Sequence, residues 1–357
     1  MTAADRRATL VACLTAPPRD EDVERLVDLA DVLEVRADLI GDVDAGWLRA
    51  RLPGRLLYAL RSEAHGGAAG RGDDRASRLA RAASAFDLVD LEADHDLEPG
   101  ILDAVEPRRR VVSWHGSAVG TDLGARLDRL LTVEAAYYKV VAEAVSVADG
   151  VAPVELLARH RRSDVVAFAS GEAGAWTRPV AALLGSPLVY GSASRAGGAA
   201  PPPAAPGQPS IDRLRRDFGL PDLAPARRLG GVVGHPVARR LAPALHNGRY
   251  RRLGVEALYV AFHVAEFGRF WIDFVEAAPS AALGLPLEGL SVTAPHKRIA
   301  LAVAGAASPL ATRLGAANTL VRRRGVWEAE ATDPEGVLGP LRETGVELVG
   351  RRAAVVG

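Results

Sequence analysis

Lysine is nearly missing from this chain. Of its 44 basic residues only Lys139 and Lys297 are lysines; the other 42 are arginines. Arginine serves wherever a solvated positive charge is enough, but its guanidinium stays protonated and cannot attack a carbonyl. The two lysines that survive are therefore candidate chemical positions. Lys139 lies in an apolar run, Ala-Ala-Tyr-Tyr-Lys-Val-Val-Ala, where a surface lysine is not expected. Cysteine is equally scarce. Cys13 stands alone, which excludes a disulfide framework and a cysteine-based metal centre. No apolar run approaches the ~18 residues of a membrane span, and the N-terminus lacks a signal-peptide core, so a cytoplasmic protein is expected. Net charge is also lacking: 44 acidic residues balance the 44 basic ones. No general field is left to attract nucleic acid.

What the chain does have is a repeated alternation. Eight β-like runs (9–16, 32–39, 55–61, 88–93, 110–115, 136–143, 165–170 and 188–192) are separated by helical or loop segments. Eight βα units in this length predict a (β/α)8 barrel, with chemistry at the C-terminal ends of the strands. Side-chain phase agrees, because strand residues two apart share a face. Glu34 and Arg36 point one way while Leu33 and Val35 point the other. Val111, Ser113 and His115 share a face, as do Asp90 and Glu92. A polar face on several buried strands is costly unless those groups meet around a polar site.

A loop over 196–209 and a helix over 210–218 are expected to close this unit, giving a first domain over 1–222. The α/β pattern then restarts, with strands over 229–233, 257–264 and 290–293. Helices are expected over 242–253, 267–278 and 297–303, within a smaller domain over 228–350. Residues 351–357 read as one more buried strand, the first of a dinucleotide-binding domain whose remainder is not in this sequence.

Glu34-Val35-Arg36, Arg61 with Gly66-Gly67, Ser113-Trp114-His115, Lys139, Arg178 and Ala205-Pro206-Gly207-Gln208 occur in an order that resembles type I 3-dehydroquinate dehydratase. The resemblance covers roughly 9–220. It implies that Lys139 condenses with the C3 ketone of 3-dehydroquinate and that His115 is the general acid/base. It also implies that Glu34, Arg36, Arg61, Arg178 and Gln208 bind substrate, with no cofactor. Lys139 would need its pKa to fall from ~10.4 toward ~7–8, a shift that Arg36 and Arg61 are expected to favour as cationic neighbours. Two departures from the family pattern stand out: His65 where the family has glutamate before the glycine pair, and Ala204 where the lid has serine.

Beyond Leu229 the chain resembles the substrate-binding domain of shikimate dehydrogenase. The match rests on Gly234-His235-Pro236-Val237, Ser291 to Lys297, Gly315 to Leu320, and Thr332-Asp333. It implies Lys297 and Asp333 as a catalytic pair, Asn318 as a substrate ligand and NADP as cofactor. Here Arg240 and Ala242 replace two serines of the opening loop, and Ala331 replaces an asparagine. With the cofactor domain missing, dehydrogenase activity is not expected of this chain. The expected partner is a small molecule, 3-dehydroquinate, with neither nucleic acid nor membrane, and a homodimer is left open. Two rival readings remain: another lysine-imine barrel such as a class I aldolase, and a non-catalytic ligand sensor built from both domains.

Overall fold

The structure is a computed structural model that describes residues 7–70, 74–193, 201–237, 241–352 and 354. Eight parallel strands form the first sheet: β1 (Thr9–Leu14), β2 (Val32–Arg36), β3 (Arg55–Ala59), β4 (Leu88–Glu92), β5 (Arg110–Ser117), β6 (Tyr137–Glu143), β7 (Val165–Ser170) and β8 (Leu188–Ser192). Their order is β7-β6-β5-β4-β3-β2-β1-β8. This is the expected eight-stranded barrel, nearly closed. Among the described residues no ladder joins β7 to β8. Across that seam the Phe168 and Tyr190 rings lie 6.0 Å apart.

Ladder register fixes which residues face inward, since partners on parallel strands share a face. Cys13 pairs with Glu34, Arg36 with Ala59, and Ala59 with Asp90. Glu92 pairs with Ser113, Ser113 with Lys139, and Val141 with Phe168. Tyr190 joins the same face through Val11. The interior is therefore apolar at the base and charged toward the C-terminal ends. β2 falls furthest short of its expected run: it stops at Arg36, and Ala37–Ile40 is a helical turn.

The outer helices follow from apolar spacing and caps. Leu123–Leu130 buries Leu123, Leu127 and Leu130, one stripe at i, i+4 and i+7. Asp122 starts it by accepting from the Ala125 N–H at 3.1 Å, an N-cap worth about 1 kcal/mol.

The second sheet contains β9 (Leu229–Gly234), β10 (Leu258–His263), β11 (Leu287–Val292), β12 (Ala306–Ala307), β13 (Thr319–Arg323) and β14 (Val326–Glu330). Its order is β10-β9-β11-β13-β14-β12. Helices Ala242–Leu253 and Lys297–Val303 occupy the residues expected of them. Strands β12 to β14 were not expected. The turn between β13 and β14 uses Arg324 and Gly325, both at positive φ (51° and 86°), the backbone of a type I′ hairpin. Of the strand expected over 351–357, residues 353 and 355–357 lie outside those described.

The two sheets share one continuous apolar core. Trp176, on the barrel, packs 5.9 Å from Phe262 and 5.3 Å edge-on to Phe274. Asn247 also bridges the units, donating to the Asp217 carbonyl at 2.9 Å and the Tyr259 carbonyl at 2.8 Å. Among the described residues no helix is long and apolar enough to cross a membrane. Trp176 is 2% exposed, so Trp176→Ala is expected to cost about 3–5 kcal/mol. Urea unfolding should show the midpoint falling by the corresponding amount.

Candidate active site

A cavity of about 200 Å³ opens at the C-terminal ends of the barrel strands, with room for a small molecule. Lys139 lies at its floor, 2% exposed, with its ammonium against the Asp90 carboxylate. Asp90 also accepts from the Ser113 hydroxyl at 2.5 Å and has Arg61 at 3.5 Å. Burial pushes the Asp90 carboxyl up, but Lys139, Arg61 and Ser113 together outweigh it, and its pKa lies below the usual range. The nearest charged group to Lys139 is thus a carboxylate, not the arginine environment expected from the sequence. The reason is the β4 register, which aims Asp90 inward between Arg61 and Lys139.

His115 lies one strand away. Ser113 is level with Lys139 and His115 is level with Val141, so the imidazole sits two residues nearer the cavity mouth on the same face. Burial, then Arg61, Lys139, His65 and Arg36 in that order, hold its pKa well below the ordinary value. It is therefore neutral, as a proton acceptor must be. Its Nδ1 is buried and has no hydrogen-bond partner among the described residues.

The other barrel residues singled out from the sequence also line this cavity. Arg178, 3% exposed, has its guanidinium 4.3 Å above the Phe168 ring and donates to the Tyr190 carbonyl at 3.4 Å. Burial lowers its pKa to about 10, against Cys13 and Glu34, which raise it. Among the described residues no carboxylate pairs with it, which makes it a ready anion site. Glu34 is buried beside the Cys13 thiol, and burial, then Glu34, holds that thiol well above its usual pKa. Arg36 is already engaged: it forks onto Asp38 at 2.8 and 2.7 Å and donates to the Ala204 carbonyl at 3.0 Å. Gln208 accepts from the Ala204 N–H at 2.9 Å and donates to the Cys13 sulfur at 3.2 Å. These contacts fasten the 204–208 segment to the end of the barrel. The lid needs glycine at 207, because φ is +71° and a Cβ there would lie 2.3 Å from the Gly171 carbonyl oxygen. Residues 196–200 of the expected loop lie outside the described residues.

Several groups at the site were not singled out from the sequence. Asp90 was seen only as part of a polar face, and Tyr190 not at all. His65 was noted only as a departure. It sits 3.6 Å from Glu92 and 3.3 Å from Asp94, with its ring 5.9 Å from that of His115. Alternation on β4 and β8 gives the inward phase of Asp90 and Tyr190, but only the barrel's closure makes them neighbours of Lys139.

The second-unit candidates also converge. Lys297 donates to Asp333 at 2.5 Å, and Asn318 donates to Asp333 at 2.7 Å and to the Thr332 hydroxyl at 2.8 Å. This cluster is open to solvent, with the Lys297 side chain 40% exposed. Arg240 lies outside the described residues.

Because His115 is held neutral in the fold, an unfolded chain binds a proton there that the folded one does not once pH falls below ~6.5. Stability from this group is present above that pH and is lost on acidification. Comparing chemical denaturation at pH 7.5 and 5.5, His115→Asn should lose less stability than the wild type.

Residues 10–220 match the type I 3-dehydroquinase family model, and residues 232–320 match the shikimate dehydrogenase substrate binding domain. Among curated proteins, the shikimate dehydrogenase (NADP(+)) of Anaeromyxobacter sp. (strain K) is 43% identical over 129 residues, 36% of this chain and 44% of that protein. That of Symbiobacterium thermophilum is 38% identical over 130 residues, 36% of this chain and 42% of that one. The chain thus spans less than half the length of these curated relatives. Among solved structures, the dehydroquinate dehydratase and shikimate dehydrogenase of S. pombe aligns with 95% of this chain and 67% of its own, at 21% identity and TM-score 0.48. The 3-dehydroquinate dehydratase of Geobacillus kaustophilus aligns with 58% of this chain and 88% of its own, at 24% identity and TM-score 0.48. With more than half of its length matched by that one family model, the chain belongs to the type I 3-dehydroquinases.

Proposed function

We propose that the barrel dehydrates 3-dehydroquinate to 3-dehydroshikimate through an imine on Lys139. The observation that carries this reading is a buried lysine paired with a carboxylate, one strand from a neutral histidine, in a cavity with an arginine that no carboxylate pairs with among the described residues. The neutral His115 takes a proton from the ammonium, the free amine adds to the C3 ketone, and His115 returns that proton to the hydroxyl of the adduct. Loss of water leaves a protonated imine, whose positive nitrogen draws electrons from the neighbouring C2–H bond. His115 removes the C2 proton, giving an enamine. The enamine electrons then expel the C1 hydroxyl, which leaves as water with the proton that His115 returns. Hydrolysis of the iminium frees the enone product and restores Lys139.

Arg178 grips the substrate carboxylate, Glu34 accepts from a ring hydroxyl, and Arg61 steadies Asp90. Arg36 and Gln208 act on the lid. The sensor reading is less well supported, because binding alone needs neither a buried amine nor a histidine poised beside it.

The Lys297, Asn318 and Asp333 cluster suits binding of a shikimate-like ligand. NADP, which that half's family implies, would need a glycine-rich turn running from a strand into a helix to hold its pyrophosphate. Among the described residues no strand runs through a G-x-G-x-x-G turn into a helix. These residues do not fit the cofactor, and no hydride step is assigned to them.

Borohydride added with 3-dehydroquinate should attach one ligand mass to the peptide carrying Lys139, and Lys139→Arg should abolish it although the charge is kept. Label at Lys297 alone, or no label, rules out the imine. For the elimination, His115→Ala should lower the rate of enone formation by about 10²–10⁴ while leaving trapped imine. A sensor would bind without turnover even as wild type, so enone absorbance separates the two readings.

A further inference from the structure

Tyr190 has no part in the chemistry above, yet its position is unusual. It faces inward from β8, is 4% exposed and lines the cavity. Its ring centroid lies 4.8 Å from Lys139 Nζ. Its hydroxyl is buried and, among the described residues, has no hydrogen-bond partner. Burial, reinforced by Glu34 and Asp90, pushes the phenol pKa well up, so the group remains a donor.

A cation over an aromatic face is attracted by the ring quadrupole and needs no N–H for it. That matters at a nitrogen that changes its substituents. The ammonium of Lys139 has three N–H bonds, whereas a protonated imine has one, and Asp90 can occupy it. The ring face continues to stabilise the charge after the other two are gone. A buried phenol without a partner also costs free energy until a ligand atom accepts from it. A ligand carrying hydroxyl and carboxylate oxygens supplies that acceptor.

We propose that Tyr190 is a further catalytic residue, its ring face steadying the cationic nitrogen of Lys139 through imine formation and its hydroxyl donating to an oxygen of the bound substrate. The inference rests on the imine reading above. The two parts separate by substitution. Tyr190→Phe keeps the face and removes the donor; Tyr190→Leu removes both. Steady-state turnover of 3-dehydroquinate should show Y190F losing about tenfold in kcat/KM, through KM, the size of one lost hydrogen bond. Y190L should lose about a further tenfold through kcat, the upper range for a desolvated cation–π contact. Borohydride should trap correspondingly less imine in Y190L than in Y190F. Should Y190L fail to fold, Tyr190→Met fills the space without a π face and takes its place.

A purely structural role would lower the melting temperature and leave this split between KM and kcat unseen. Wild-type kcat and trapping in Y190L, or an unchanged KM in Y190F, overturns the proposal while the dehydratase reading stands. Absence of trapping in the wild type overturns the dehydratase reading itself.

Discussion

The barrel interior depends on the pairing of Lys139 with Asp90. Neither group is more than 3% exposed, and a buried charge left without its partner costs about 3–5 kcal/mol. Each therefore holds the other in place, and both organise what surrounds them. Asp90 draws in the Ser113 hydroxyl and Arg61. Those cations then bear on His115, which burial and charge together keep neutral. A single inward carboxylate on β4 thus gathers polar groups from β5, β6 and the residues after β3.

The unjoined seam between β7 and β8 is managed by side chains. Phe168 and Tyr190 face each other across it, each carrying a cation on its face: Arg178 over the first, Lys139 over the second. Arg178 also donates to the Tyr190 carbonyl, replacing part of what a ladder would supply. The gap in the sheet coincides with the place where two cations, Arg178 and Lys139, line the cavity.

Much of this was legible in the sequence because period-two alternation survives in short strands. The bounds of β7 and β8 and the shared face of Ser113 and His115 could be read directly. The end of β2 could not, since Asp38 turns back to fork onto Arg36, a contact that no periodicity reveals. Strands β13 and β14 escaped because their hairpin turns on Arg324-Gly325 with neither asparagine nor aspartate, and arginines crowd their exposed face. Asp90 as the partner of Lys139 was hidden for a different reason. The two are 49 positions apart, on strands that flank β5, a juxtaposition that local spacing does not show.

The lid and the second unit are joined through a short chain of contacts. Gly171 donates to the Pro206 carbonyl at 3.1 Å, and the next residue, Glu172, pairs with His263 at 2.9 Å. The His263 ring meets that of His235 at 4.5 Å, beside the opening loop of the second sheet. Together with the shared core around Trp176, this makes the smaller unit part of the frame on which the barrel's cover rests. A protease that nicked the 219–227 connection would leave two polypeptides clasped together, and the halves could not be exchanged for free-standing counterparts without resurfacing both. The fusion is written into the side chains, not only into the peptide bond that joins them.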